Sequence, residues 1–358
     1  MTLPFFSTFR GFGLRIPLSN MRNAFLILMM VIIIHGSGVV ATQSTTSSIV
    51  GFSVNSTDPH YATIREDGLL EITDYQTSAI IESYFVTLPF QDVDDLDPTG
   101  FNVGTITYSP DGTQIAISIS DPSRSGIIYL LDWETGQITR AHDQDYIRRV
   151  NGMSWNPDGN RIVVALQDGG SDQFILSSVE ILNVISGEWE HVLADSAFIN
   201  NYTFTTVDWS NSNIIAYADQ STLILWDADR QVEIASIDTS ADIHRIVWAP
   251  DSHHLATLNA DRTLQVWDTD SDLSTPQQMM STITDNFRSR GMTWLDDNLI
   301  AVNLSTDIEV WNVANTSLEE LIKTDHFIFG FGMLEDNELA FADPRSVNTL
   351  PFANNVEN

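Results

Sequence analysis

The chain has 358 residues, of which 43% are hydrophobic, and 48 acidic side chains stand against 16 basic ones for a formal net charge of -32. The apolar share supports a large buried core and excludes wholesale disorder, while the charge repels nucleic-acid phosphates and anionic lipid surfaces. Cysteine is absent, which excludes disulfides, thiolate metal sites and cysteine nucleophiles.

The N-terminus reads as an address. Arg10, Arg15 and Arg22 precede the apolar run "AFLILMMVIII" at 24–34, and small residues at Val39 and Ala41 follow before Thr42. A basic flank, a short apolar centre and a small-x-small exit predict a secretory signal peptide over 1–41. The run is short for a membrane span, and retention of 24–41 as an uncleaved anchor is the alternative. Export to the outside of the cell or to the periplasm and envelope is the localisation expected. Residues 42–353 then form the folded body and 354–358 a short tail.

From residue 49 onward one unit recurs. In "HRIVWAPDSHHLATLNADRTLQVWD" (244–268) an alternating strand runs into a Pro-Asp turn, a second strand, a second turn and a third strand. Such a meander cannot bury both of its faces alone. Copies lie at 49–75, 104–136, 150–189, 204–229, 290–313 and 329–352. Their first strands place Phe52, Tyr108, Trp155, Trp209, Trp248, Trp294 and Met333 at one anchor position, about 39 to 56 residues apart, the spacing of four-stranded propeller blades. The third strands add Trp226, Trp267 and Trp311. The last copy has three strands before the chain ends, and "TQSTTSSIV" (42–50) is the candidate for its fourth.

The segments "SPDGTQIA", "NPDGNRIV" and "APDSHHLAT", with the closing "LILWDA", "LQVWDT" and "IEVWNV", resemble WD40 repeats. The likeness covers about residues 49–352, and the Trp-Asp pairs at 226–227 and 267–268 are its most specific points. The resemblance implies an all-β fold, a single β-propeller of seven four-stranded blades closed into a ring, and it implies protein or peptide binding. The Gly-His dipeptide that precedes first strands in the family is missing from every copy. Asp219, Asp261 and Asp307 occupy the family's turn-aspartate position without its usual histidine partner.

The chemistry-bearing signals are few. No G-x-S-x-G, H-E-x-x-H or phosphate-loop motif is present, and Lys323 is the lone lysine. Two loops space aspartates as cation loops do: Asp95 and Asp97 before Gly100, and Asp268, Asp270 and Asp272. The first lacks the glutamate that completes such a loop and the second lacks the glycine turn, so a solvated acidic loop is the plainer reading of each. His253 and His254 fall in a hairpin turn, where solvent exposure is expected. Sequons stand at Asn55, Asn201, Asn303 and Asn315.

Basic residues are scarce, yet several lie just ahead of first strands: Arg148 and Arg149, His244 and Arg245, Arg288 and Arg290, and His326, with Tyr202 in an equivalent loop. In a ring these would gather at the mouth of the channel, where forked arginine donors suit a carboxylate or other anionic group. Pairing of each arginine with a local acid is the competing reading. The expected function is therefore a non-catalytic, extracytoplasmic and monomeric binding platform for a protein or peptide, with no cofactor, no metal and no nucleic acid. The alternatives are a propeller enzyme with its site at the channel, or an envelope-tethered structural subunit.

Overall fold

The computed structural model describes residues 47–86, 102–120, 125–142, 147–167, 175–198, 206–269, 276–283, 291–303, 306–324, 328, 330–334 and 338–351. Among these residues there are strands and turns but no helix. The proposed signal peptide and the tail at 354–358 lie outside them.

The strands form antiparallel meanders in chain order. The first contains β1 (Ile49–Val54), β2 (His60–Arg65), β3 (Leu69–Asp74) and β4 (Ala79–Phe85). The second contains β5 (Asn102–Tyr108), β6 (Gln114–Ser120), β7 (Ser125–Asp132) and β8 (Gln137–Arg140). The third contains β9 (Ile147–Trp155), β10 (Arg161–Gln167), β11 (Ile175–Asn183) and β12 (Trp189–Phe198). A short pairing of β7 with β9, Ser125 opposite Arg148 and Gly126 opposite Ile147, joins the second and third into one sheet.

Next come β13 (Val207–Trp209), β14 (Ile214–Asp219), β15 (Thr222–Asp227) and β16 (Val232–Asp238). They are followed by β17 (Ile243–Trp248), β18 (His254–Asn259), β19 (Thr263–Asp268) and β20 (Gln277–Ile283). The sixth meander is β21 (Met292–Trp294), β22 (Leu299–Asn303), β23 (Asp307–Asn312) and β24 (Ser317–Lys323). Among the described residues the last has three strands, β25 (Gly330–Met333), β26 (Glu338–Ala342) and β27 (Val347–Pro351).

Burial explains the sequence pattern. Second strands such as "QIAISIS" and "RIVVALQ" are buried along nearly their whole length, because both of their faces are covered. Outer strands such as β4 and β8 are exposed almost throughout. The core is divided into clusters that lie between consecutive meanders. One joins Ile64 and Ile72 to Ile106 and Ile117, and another joins Ala216 and Leu225 to Ile246 and Leu255. Burying these faces at about 25 cal/mol per Å² of apolar area is what holds each meander to the next.

The first strands are neighbours in the order β1, β5, β9, β13, β17, β21 and β25, and β25 lies beside β1. Glycine permits that last approach. A Cβ on Gly330 would stand 2.9 Å from the Phe52 Cβ, and one on Gly332 would stand 2.9 Å from the Val54 Cγ2.

The anchor register differs from the sequence expectation at one place. The N–H after each anchor bonds the carbonyl that opens the second strand, as Ser210 does to Ile214 at 2.9 Å and Ala249 to His254 at 2.8 Å. In the first meander the same bond runs from Asn55 to His60 at 3.0 Å. Val54, not Phe52, therefore holds the anchor position, and Phe52 packs on Tyr61 instead, with ring centroids 5.5 Å apart. Of 42–50, the candidate outer strand for the last meander, Ile49 and Val50 open β1 instead, with the Ile49 N–H held by the Pro344 carbonyl at 2.9 Å, and 42–46 lie outside the described residues.

Of the tryptophan anchors, Trp155, Trp209, Trp248, Trp267 and Trp294 are buried, while Trp226 and Trp311 are half-buried. Third-strand Trp226, Trp267 and Trp311 occupy equivalent positions, each at a bulge in the pairing with the fourth strand.

Candidate functional site

An innermost strand has one edge without a ladder partner, so its backbone N–H groups need other acceptors. Here the residue just before an anchor reaches sideways to the next first strand. Ser53 Oγ accepts the Tyr108 N–H at 3.2 Å, and Ser154 Oγ accepts the Trp209 N–H at 3.1 Å. Asp208 Oδ2 accepts the Trp248 N–H at 2.7 Å. Indoles bond in the opposite direction: Trp155 Nε1 donates to the Thr107 carbonyl at 3.4 Å and Trp294 Nε1 to the Val247 carbonyl at 3.2 Å.

Asp208 is the charged member of this series. Its Oδ1 also accepts the Ser154 hydroxyl at 2.7 Å and the N–H of Trp209 at 3.0 Å. One carboxylate thus ties together β9, β13 and β17. Protein surrounds it closely, yet the residue keeps part of its surface open. Asp208 also lines a cleft of about 250 Å³ at the trailing ends of β13, β17 and β21, together with Trp209, Trp248, Pro250, Thr293 and Trp294.

Burial pushes the Asp208 carboxyl up to about 6, against the lowering effect of the hydrogen bonds from Trp248, Ser154 and Trp209. A carboxyl whose folded pKa exceeds its unfolded value binds its proton more tightly when folded. Its contribution to stability therefore grows as pH falls through about 6 toward the ordinary carboxylate value, and is absent above that window. Between pH 7 and pH 5 this site is expected to stabilise the fold by on the order of 1 kcal/mol. Asp208→Asn removes that increment, and urea unfolding of both proteins at the two pH values measures the difference. An identical pH slope in both contradicts the assignment.

The basic residues singled out in the sequence are placed differently from one another. Arg148 pairs with Glu180 of β11 at 3.3 Å, and Glu180 in turn accepts the Ser178 hydroxyl. Arg149 is exposed at the leading end of β9 opposite Gln167. His244 is exposed at the leading end of β17, and half-buried Arg245 donates to its carbonyl at 2.8 Å. Burial first, and the Arg245 guanidinium second, hold His244 below the ordinary imidazole value, so it is neutral at neutral pH. Counted back from the anchor tryptophans, Arg149 stands about three strand steps further out than Arg245, roughly 10 Å along the strand. Tyr202, Arg288, Arg290 and His326 lie outside the described residues.

Of the cation-loop candidates, Asp268 is half-buried at the end of β19 opposite His254 and Gln277. Asp95, Asp97, Asp270 and Asp272 lie outside the described residues. In the hairpin turn His253 is exposed, but His254 is half-buried and its Nδ1 meets Asp251 Oδ2 at 2.5 Å. Two sequons are closed to modification in the folded chain. Asn55 is 3% exposed and donates to the Gly112 carbonyl, and Asn303 is 0% exposed and donates to the Ile328 carbonyl. Asn315 lies exposed in the β23–β24 turn, and Asn201 is outside the described residues.

Sequence reasoning missed Asp208. Its signal was an acid at the position that holds serine in Ser154 and Ser53, where an acceptor is required.

Together these features define an all-β repeat protein whose meanders stand side by side along their first strands, as β-propeller blades do. Residues 232–268 match the family described as "WD domain, G-beta repeat", and this unit runs from β16 of one meander to β19 of the next. This match supports a WD40-repeat assignment for the chain. It is 25% identical over 258 residues to Actin-interacting protein 1 of Drosophila melanogaster, covering 60% of this chain and 41% of that protein. It is 30% identical over 86 residues to Cell division cycle 20.1, cofactor of APC complex, of Arabidopsis thaliana, covering 23% and 19% respectively. To the APC/C activator protein CDC20 of Saccharomyces cerevisiae it is 24% identical over 133 residues, covering 37% and 21%. The chain thus spans well under half the length of these relatives.

Proposed function

We propose that this chain is a non-catalytic binding platform, a seven-bladed propeller that works outside the cytoplasm and holds a protein or peptide at one end of its ring. The observation that carries the reading is the succession of first strands with β25 returning beside β1. Such a succession gathers equivalent turns from every meander onto a common end, the rigid, multi-loop surface that extended recognition needs. The names of the relatives point the same way, since they describe an actin-interacting protein and cofactors or activators of a complex. The basic flank, apolar centre and small-residue exit of 1–41 support export.

The leading end, with Arg149 and Arg245 at its described edge, is the proposed seat for anionic groups. Arg148 is engaged with Glu180 and serves the fold.

The test pans a displayed random-peptide library against the folded chain beginning at Thr42, with the heat-unfolded chain as control. Expected are peptides that bind the folded form selectively and lose at least tenfold in affinity when Arg149 and Arg245 become Gln. Recovery of no fold-dependent binder contradicts the platform. Binders indifferent to both arginines move the seat away from the leading end. Export is tested by N-terminal sequencing of the secreted protein, which should begin at Thr42. A product that stays in the cytoplasm with residues 1–41 attached contradicts it.

A further inference from the structure

We infer that the cleft at the trailing ends of β13, β17 and β21 receives one cationic side chain, an ammonium or guanidinium group from a basic partner, with Asp208 as its counter-ion. This deepens the platform reading: the partner depends on it, while the affinity of the cleft for a cation does not.

An ionised carboxylate offers about four lone-pair sites. Ser154, Trp209 and Trp248 fill three of those on Asp208. Capacity for one more donor remains, on a residue that lines an open cleft. None of the residues lining that cleft carries a positive charge. Ser154, Trp209 and Trp248 face the carboxylate from β9, β13 and β17, and none of them titrates near neutral pH.

A cleft of about 250 Å³ admits a single side chain rather than a folded surface. Trp209, Trp248 and Trp294 belong to its lining while staying 5%, 6% and 5% exposed, so a cation could meet only the small open part of each indole. The net charge of -32 favours cations over anions at this cleft, whose lining has no basic residue to offset it locally. Water is too restricted there to solvate the carboxylate fully, as its raised pKa reflects, so a cation in contact supplies stabilisation that solvent does not.

The probes are N-acetyl-arginine amide and N-acetyl-lysine amide, with N-acetyl-norleucine amide as the neutral isostere. Binding is followed by the indole signals in NMR at 150 mM salt, which screens the general acidic surface. At pH 7.5 the cationic probes are expected to bind at least tenfold more tightly than norleucine amide. That preference should vanish in Asp208→Asn and should fall in the wild type as pH drops below about 6. Thr293→Arg, which places a cation of the chain's own beside the cleft, should also abolish binding while leaving Asp208 in place. It keeps the test valid if Asp208→Asn fails to fold.

Equal affinity for charged and neutral probes overturns the inference. So does cation binding that survives in folded Asp208→Asn and Thr293→Arg proteins. Fold-dependent peptides recovered by panning, together with a cleft indifferent to cations, would retain the platform and remove this site.

Discussion

Replacing Trp248 with alanine is expected to lower the unfolding free energy by about 4 kcal/mol, the upper range for truncation of a buried aromatic side chain. Trp248 is 6% exposed and sits in the cluster formed by Ile214, Ala216, Leu255 and Trp267. That cluster joins two meanders, so the cavity left behind weakens the contact between neighbours rather than one sheet alone. The backbone N–H of residue 248 would still be held by Asp208 at 2.7 Å, which limits collapse of the strand into the void. Phe85→Ala is the control: this aromatic ring lies on the outer strand β4, is 67% exposed, and should change stability by less than about 0.5 kcal/mol. Guanidinium unfolding of the two variants provides the comparison. Similar small losses in both would mean that the tryptophan anchors are not what joins the meanders.

The three inner strands of each meander were legible because their physics is local. Alternating or continuous apolar runs, Pro-Asp and Asp-Gly turns and the recurring tryptophans mark where a chain must be covered on both faces. Outer strands such as β4 and β8 have little burial to impose a pattern, so their sequences carry little signal. The slip at Phe52 has a similar cause. An aromatic residue is the stronger pattern match, but the ladder is fixed by the bond from Asn55 to His60, and that puts Val54 at the anchor.

The site was harder to read because its contacts are not local. Arg148 finds Glu180 on another strand 32 residues away, a partner no spacing rule exposes. Asp208 is one acid among 48, distinguished by its place before an anchor and by the strands that flank it in space. Sequence periodicity predicts which faces are buried. It does not say which neighbouring backbone lacks an acceptor, and that need is what gives Asp208 its position.

Cleft, platform and shared turn surface all require that the strand row close on itself. A cysteine pair at positions 54 and 332 probes this, because the native chain contains no cysteine to confuse the result. A Cβ at Gly332 would lie 3.5 Å from the Val54 Cβ, at the short end of the range a disulfide spans. The Val54→Cys/Gly332→Cys protein is expected to oxidise to an intramolecular bridge, seen as faster non-reducing gel migration and as a linked peptide mass. The closed loop is so long that the chain-entropy model assigns the bridge up to about 5 kcal/mol of stabilisation, less any strain. Two free, readily alkylated thiols in the folded monomer would contradict closure, and with it the account of how these meanders present a surface.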